Sequence, residues 1–226
     1  MIELSEGIDT PVSKSIVMLY SGGADSALML RLAQMSGRQP HCILIDYGQK
    51  HIEELDFAKA QLNAEGVTYQ EIKIDNLNVD SGLTGSLDEA RWDNVHEMNV
   101  PGRNTIFIGL AISVAENMGI DEVWYGPDYS DRINRFPDCY QEYVVKMNEV
   151  LAISGVKPIK LVAPLLGMSK ELILETLKNF WGIQQHEMHS GYDAPVVAEE
   201  DQIVDLGSLV EERCCNDTPC SCERTI

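Results

Sequence analysis

Apolar and polar positions along this chain switch between two periods. Residues 15–20 (SIVMLY) are a short apolar run between Lys14 and a glycine turn, which predicts a buried strand. Leu28, Met29, Leu32 and Met35 then keep helical spacing across residues 25–35, and Gly37 and Pro40 close that segment. Residues 41–46 (HCILID) predict a second strand. Residues 49–65 place Ile52, Leu55, Ala58 and Leu62 on one helical face that ends at Gly66, and residues 67–74 (VTYQEIKI) predict a third strand. Helical spacing returns over 104–118 through Ile106, Leu110 and Val114, and over 139–152 around Tyr143, Met147 and Leu151. Residues 122–126 (EVWYG) and 158–163 (PIKLVA) predict further strands. Ser169 is placed to cap a helix through Trp181, with Gly182 as its stop.

Strands alternating with helices imply βαβ units, hence an α/β fold with a Rossmann-like, doubly wound parallel sheet covered on both faces. Right-handed crossovers place ligands at the carboxyl ends of the strands, and the loop at 21–26 follows the first strand. Residues 75–100 have weak periodicity and many Asp and Asn, the signature of a functional or disordered loop. The pattern divides the chain into a 1–182 domain and an acidic, cysteine-bearing 183–226 extension packing on it.

With 226 residues, 44% apolar and 23% charged, the chain suits one globular domain, and no apolar run approaches the roughly 20 residues of a membrane helix. The acidic start, MIELSEGIDTP, does not read as a leader, so a cytoplasmic protein with no membrane partner is expected. The net charge of −19 repels phosphate backbones and argues against a nucleic-acid partner; it equally suits solubility or a salty or phage-like setting. Cys42 and Cys139 stand alone, whereas Cys214, Cys215, Cys220 and Cys222 crowd the last 13 residues, a grouping that suggests metal or redox chemistry over structural disulfides.

The loop Ser21-Gly22-Gly23-Ala24-Asp25-Ser26, entered from Tyr20, carries the chemistry. Its glycines let backbone approach a phosphate, the following helix offers unpaired N–H groups and the positive end of its dipole, and two serines add hydroxyls. No lysine follows as in a G-x-x-x-x-G-K-S/T loop, and the dinucleotide G-x-G-x-x-G spacing is missing. Asp25 suits a helix cap or a ligand for Mg²⁺ bridging phosphates. A tight strand-to-helix turn with capping serines is the plainer alternative.

SGGADS resembles the S-G-G-x-D-S loop of the PP-loop ATP pyrophosphatases, which cleave ATP between its α and β phosphates. Asp46-Tyr47-Gly48-Gln49-Lys50-His51 with Glu54 resembles the D-Y-G-Q-(R/K)-H-x-x-E segment of the 7-cyano-7-deazaguanine synthase (QueC) family. Val100-Pro101-Gly102-Arg103-Asn104 with Phe107 resembles that family's V-P-G-R-N-x-x-F. Phe136-Pro137-Asp138-Cys139, with Glu142, Met147 and Asn148, resembles its Y-P-D-C-R-x-E-F…M-N, and Pro164-Leu165 with Ser169-Lys170-Glu171 its P-L…(T/S)-K-x-E. The likeness runs in order over about residues 15–182.

The resemblance implies a ligase that converts 7-carboxy-7-deazaguanine and ammonia, with two ATP, to the nitrile preQ0 through acyl-adenylate and amide. It implies that Tyr20 to Ser26, Asp46, Tyr47, Gly48, Gly102, Arg103 and Lys170 surround ATP and Mg²⁺. Asp25, Ser26, Arg103, Lys170 and His51 are then the catalytic set, with Asp138, Arg103, Asn104 and Phe136 toward the base. A guanidinium forks onto two oxygens, and a carboxylate accepts two N–H bonds, which suits Arg103 and Asp138 to these partners. Lys170 is equally a solvated helix-end lysine, His51 a structural histidine, Asp138 a helix N-cap, and Cys139 a packed thiol in place of a nucleophile. A homodimer is a further family expectation.

Two stretches depart from the family pattern. The family carries a zinc site of four cysteines near its C-terminus; here Gly191 falls at the expected first one, and the cluster reads C-C-x4-C-x-C. Cys214, Cys215, Cys220 and Cys222 remain a candidate structural Zn²⁺ site, with His186 or His189 as substitutes and oxidation to disulfides as the alternative. Gly126 to Arg135 also replaces a shorter segment of small residues before Phe136, where the base is expected to bind. A product stopping at the amide, a tRNA-modifying PP-loop enzyme, a catalytically silent relative and a protein-modifying relative are the competing expectations.

Overall fold

The computed structural model of the chain describes residues 14–49, 53–75, 100, 102–133, 136–155 and 157–183. Five strands form one sheet: β1 (Ser15–Leu19), β2 (Gln39–Asp46), β3 (Thr68–Lys73), β4 (Glu122–Trp124) and β5 (Lys160–Val162). Their order is β3-β2-β1-β4-β5 and every pairing is parallel. The helices are α1 (Ala24–Met35), α2 (Glu53–Ala64), α3 (Arg103–Met118), α4 (Tyr129–Ile133), α5 (Gln141–Ser154) and α6 (Lys170–Trp181), with a 3-10 turn at Pro137–Cys139. The α/β, doubly wound expectation holds.

Burial explains the layers. A parallel sheet in the middle of a domain is apolar on both faces, and in the central strand β1 Ile16, Val17 and Met18 are fully covered. Val17, Ile43, Val123 and Leu161 turn to one face, where Ile108, Ala111 and Ala115 of α3 and Val144 and Leu151 of α5 complete a core. Helices α1 and α2 pack on β2, and α6 on α1. Strand β3 is one of the two edges, and its half-exposed pattern follows.

Strand β2 begins two residues before the apolar run, at Gln39 and Pro40, which pair with Ser15 and Ile16. Proline is tolerated there because β3 starts only opposite His41. At the far end of the chain order, Asn148 of α5 receives the N–H of Leu161 at 2.8 Å and donates to its carbonyl at 2.9 Å, so one amide clasps β5 as a neighbouring strand would.

The order of the strands fixes the useful place. The chain winds outward from β1 to β3, crosses back, and winds the other way through β4 and β5. The loops after β1 and β4 therefore part from each other, opening the crevice in which such sheets bind ligands. Helix α6 delivers its first residue, Lys170, to this edge. Ser169 accepts the Leu172 N–H at 3.3 Å as its cap, and Gly182, at φ 68°, ends the helix as the sequence predicts. Ser169→Ala is expected to lower the free energy of urea unfolding by about 1 kcal/mol, and Ser169→Gly by only a few tenths.

Candidate active site

The loop after β1 is shaped from below. Tyr20 is buried, donates its N–H to the Ile43 carbonyl at 3.0 Å and its hydroxyl to Gln61 of α2 at 2.8 Å. Gly22 has φ 83°, and a Cβ on it would lie 3.0 Å from the Cβ of Ala58, so α2 passes directly against the loop. Gly23 is the N-cap of α1, and no side chain among the described residues caps that helix. Its first-turn N–H groups and dipole are thereby left to whatever the loop holds. Ser26 donates its hydroxyl to the Gly23 carbonyl at 2.9 Å and stands 3.3 Å from the Ser21 hydroxyl. Ala24 is buried, so its contribution is its backbone.

Above this loop one ammonium meets two loops. Lys170 Nζ lies 2.6 and 2.8 Å from the two carboxylate oxygens of Asp25 and 4.0 Å from Asp128, which follows β4. Gly126 permits the approach: a Cβ there would stand 2.8 Å from Met29 Cε and 3.8 Å from Asp25 Cβ. Asp128 and Asp131 cap α4 reciprocally. Asp131 N–H donates to Asp128 Oδ1 at 3.0 Å, and Asp128 N–H to Asp131 Oδ2 at 3.2 Å. Burial, then the neighbouring Asp128 charge, pushes the Asp131 carboxyl up to about 7. Burial and Asp25 raise Asp128 as well, against its backbone hydrogen bonds and Lys170.

The loop after β2 presents an aromatic ring. Asp46 Oδ1 accepts the Gly48 N–H at 3.0 Å, and Gln49 accepts the Tyr47 N–H at 3.0 Å. These polar side chains build the turn, and Tyr47 projects from it. Its ring packs on Phe107 with centroids 5.3 Å apart, and Arg103 lies over it, donating to the Tyr47 hydroxyl at 3.3 Å. Arg103 opens α3 directly after Gly102, whose φ of 71° favours glycine. Asn104 is half-buried beside it, and Thr105 meets the Tyr143 hydroxyl at 2.7 Å.

On the β4 side, Tyr125 donates its hydroxyl to the Asp138 carbonyl at 3.0 Å. Asp138 sits within the 3-10 turn that Phe136 opens, and α5 is capped by Tyr140, so Asp138 is not the N-cap the sequence allows. Cys139 is buried, and desolvation with the Asp131 and Asp138 charges pushes its thiol up, opposite to the shift that activates a nucleophile.

The residues marked in the sequence thus follow the carboxyl ends of all five strands. Asp25, Ser26 and Lys170 come together at the β1 loop, whereas Tyr47 and Arg103 form a neighbouring group and Phe136 and Asp138 a third. His51 and Cys214, Cys215, Cys220 and Cys222 lie outside the described residues. Asp128 and Asp131 were missed, although their D-x-x-D spacing ahead of a helix is a capping signal. Among the described residues, no group of three or more His, Cys, Asp or Glu is arranged to hold a metal ion, and no helix is long and apolar enough to cross a membrane.

A parallel α/β sheet with a glycine loop at its switch point and a lysine held over it defines a nucleotide-binding class. The profile described as queuosine biosynthesis protein QueC matches residues 15–216, and this chain belongs to that family. It is 35% identical over 170 residues to a 7-cyano-7-deazaguanine synthase of Alteromonas mediterranea, covering 72% of this chain and 78% of that one. The protein of the same name from Prochlorococcus marinus is 33% identical over 204 residues, 81% of this chain and 88% of its own. In fold the chain is similar to the U34-tRNA thiolase NcsA of Methanococcus maripaludis, with a TM-score of 0.55, 18% identity, and coverage of 84% of this chain and 63% of that one.

Two outcomes are expected. Gly22→Ala forces a side chain into a left-handed turn against Ala58 and should cost about 1–3 kcal/mol in urea unfolding; adding Ala58→Gly should recover only the steric part. Asp131 has a raised folded pKa, so its contribution to stability is complete at low pH and lost as pH rises from about 4 to about 7. Asp131→Asn should flatten that part of the melting temperature profile.

Proposed function

We propose that this chain is a 7-cyano-7-deazaguanine synthase that converts 7-carboxy-7-deazaguanine and ammonia to the nitrile with two ATP. The observation that carries the reading is Lys170 fixed over the β1 loop by Asp25, within a chain of the QueC family. A substrate carboxylate oxygen attacks the α-phosphate and pyrophosphate leaves, giving an acyl-adenylate. Ammonia attacks the acyl carbon, AMP leaves, and loss of a proton gives the amide. The amide oxygen attacks a second ATP, pyrophosphate leaves again, and departure of AMP with loss of the nitrogen protons gives the nitrile.

The chain's own groups serve this by charge and by place. The first-turn N–H groups of α1, with the Ser21 hydroxyl, would receive the leaving pyrophosphate, and Lys170 would neutralise it. Mg²⁺ is commonly held by one or two carboxylates together with phosphate oxygens and water, a demand that Asp25 beside the loop suits. When bound, it would supply further charge to the phosphates. Arg103, stacked on Tyr47, presents a guanidinium to phosphate or carboxylate. Phe136, Asn104 and Asp138 are the nearest candidates for the base. The altered cysteine tail is read as a structural Zn²⁺ site on its thiol spacing alone, to be decided by metal analysis of the purified protein. A cytoplasmic homodimer that binds no nucleic acid completes the reading.

Incubation with ATP, Mg²⁺, ammonium and 7-carboxy-7-deazaguanine should yield AMP, pyrophosphate and the nitrile by mass spectrometry. Amide as the end product would revise the second half of the reaction; folded protein that forms no AMP would end the reading. Lys170→Met should lower kcat by about a hundredfold or more with the circular dichroism spectrum unchanged.

A further inference from the structure

Helix α4 is five residues long, yet of the two carboxylates that cap it Asp128 is buried and Asp131 half-buried. Burying acids has a cost that a short surface turn would not require. Their geometry shows what the burial secures. Asp128 Oδ1 is occupied by the Asp131 N–H at 3.0 Å, which turns Oδ2 toward Lys170 Nζ at 4.0 Å. Asp131 Oδ2 in turn accepts the Asp128 N–H at 3.2 Å, so the Asp131 side chain fixes the backbone from which the Asp128 carboxylate projects. The turn is also tied by its backbone: Tyr129 N–H donates to the Met168 carbonyl at 2.9 Å, two residues before the lysine.

We propose that Asp131 is a positioning residue for Lys170, acting through Asp128: its side chain holds the Asp128 backbone, and with it the carboxylate that stands across the ammonium from Asp25, and so sets how far Lys170 reaches over the β1 loop. The pair with Asp25, at 2.6 and 2.8 Å, is the closer contact, and alone it would leave the ammonium free to swing about that carboxylate toward solvent. A second, rigid carboxylate on the β4 side keeps it between the two loops that the switch point separates. The proposal rests on the reading that ATP phosphates occupy the β1 loop.

The sign of one measurement separates positioning from charge. Asp131 and Asp128 stand near the place where a triphosphate would bind, so deleting either acid should tighten ATP binding if charge alone mattered. Positioning through Lys170 predicts the reverse. ATP affinity of the full chain, measured by calorimetry with no deazaguanine present, should weaken about tenfold in Asp131→Ala. In a Lys170→Met background the same change should leave affinity unchanged or improve it. Asp131→Asn, which keeps an oxygen for the Asp128 N–H, should stay within about twofold of the parent. Asp128→Asn repeats the cycle should Asp131→Ala fail to fold, with the same weakening and the same dependence on Lys170.

Equal effects in the two backgrounds, or tighter binding in Asp131→Ala, would overturn the proposal. Such additivity alongside nitrile formation by the parent would leave the synthase reading standing. Coupled effects in a parent that forms no AMP from ATP and the deazaguanine would sustain the positioning and end the synthase reading. A parent with no measurable ATP affinity would overturn both.

Discussion

Lys170 joins three parts of the chain: the head of α1, the loop after β4 and the start of α6. Its pair with Asp25 spans 145 positions of sequence. Both partners are about a third exposed, so the pair adds little to stability, and its value is location. Everything around it keeps that location. Gly22 lets α2 lie against the loop, Gly126 lets β4 approach α1, and Ser169 caps the helix that begins with the lysine.

Charge balance at this point explains the rest of the site. Asp25, Asp128 and Asp131 face a single ammonium, within a chain already carrying −19. A triphosphate entering there meets repulsion unless positive charge or a proton accompanies it. Asp131, raised to about 7, is already able to hold a proton near neutrality, and the uncapped α1 offers N–H groups that need no counter-charge. Among the described residues, attraction for anions at the β1 loop therefore rests on backbone N–H groups and Lys170, with Arg103 in the neighbouring group.

Much of this was legible in the sequence because apolar runs and glycine stops report burial directly. β1, α1, α3 and α6 fall where their spacing puts them, and the cap and stop of α6 are Ser169 and Gly182 as read. Pro40 misled the start of β2, since a proline inside a strand is permitted where only one neighbour pairs. Helix α4 escaped notice because five residues hold too few apolar positions to show a period. Motif residues carried a different ambiguity. A matched position does not reveal where its side chain points: Tyr20 turns to Gln61, Ala24 into the core, and Asp46 to its own turn, while Asp25 and Arg103 face the edge that the motif implies.

In the proposed reaction a substrate oxygen is transferred to the α-phosphate at the β1 loop. Turnover of 7-carboxy-7-deazaguanine labelled with ¹⁸O in its carboxylate tests this directly, by the mass of the AMP released. The account predicts that carboxylate oxygen appears in AMP from both activations, with none in pyrophosphate. AMP free of label, or label recovered in orthophosphate with ADP as the nucleotide product, would contradict it.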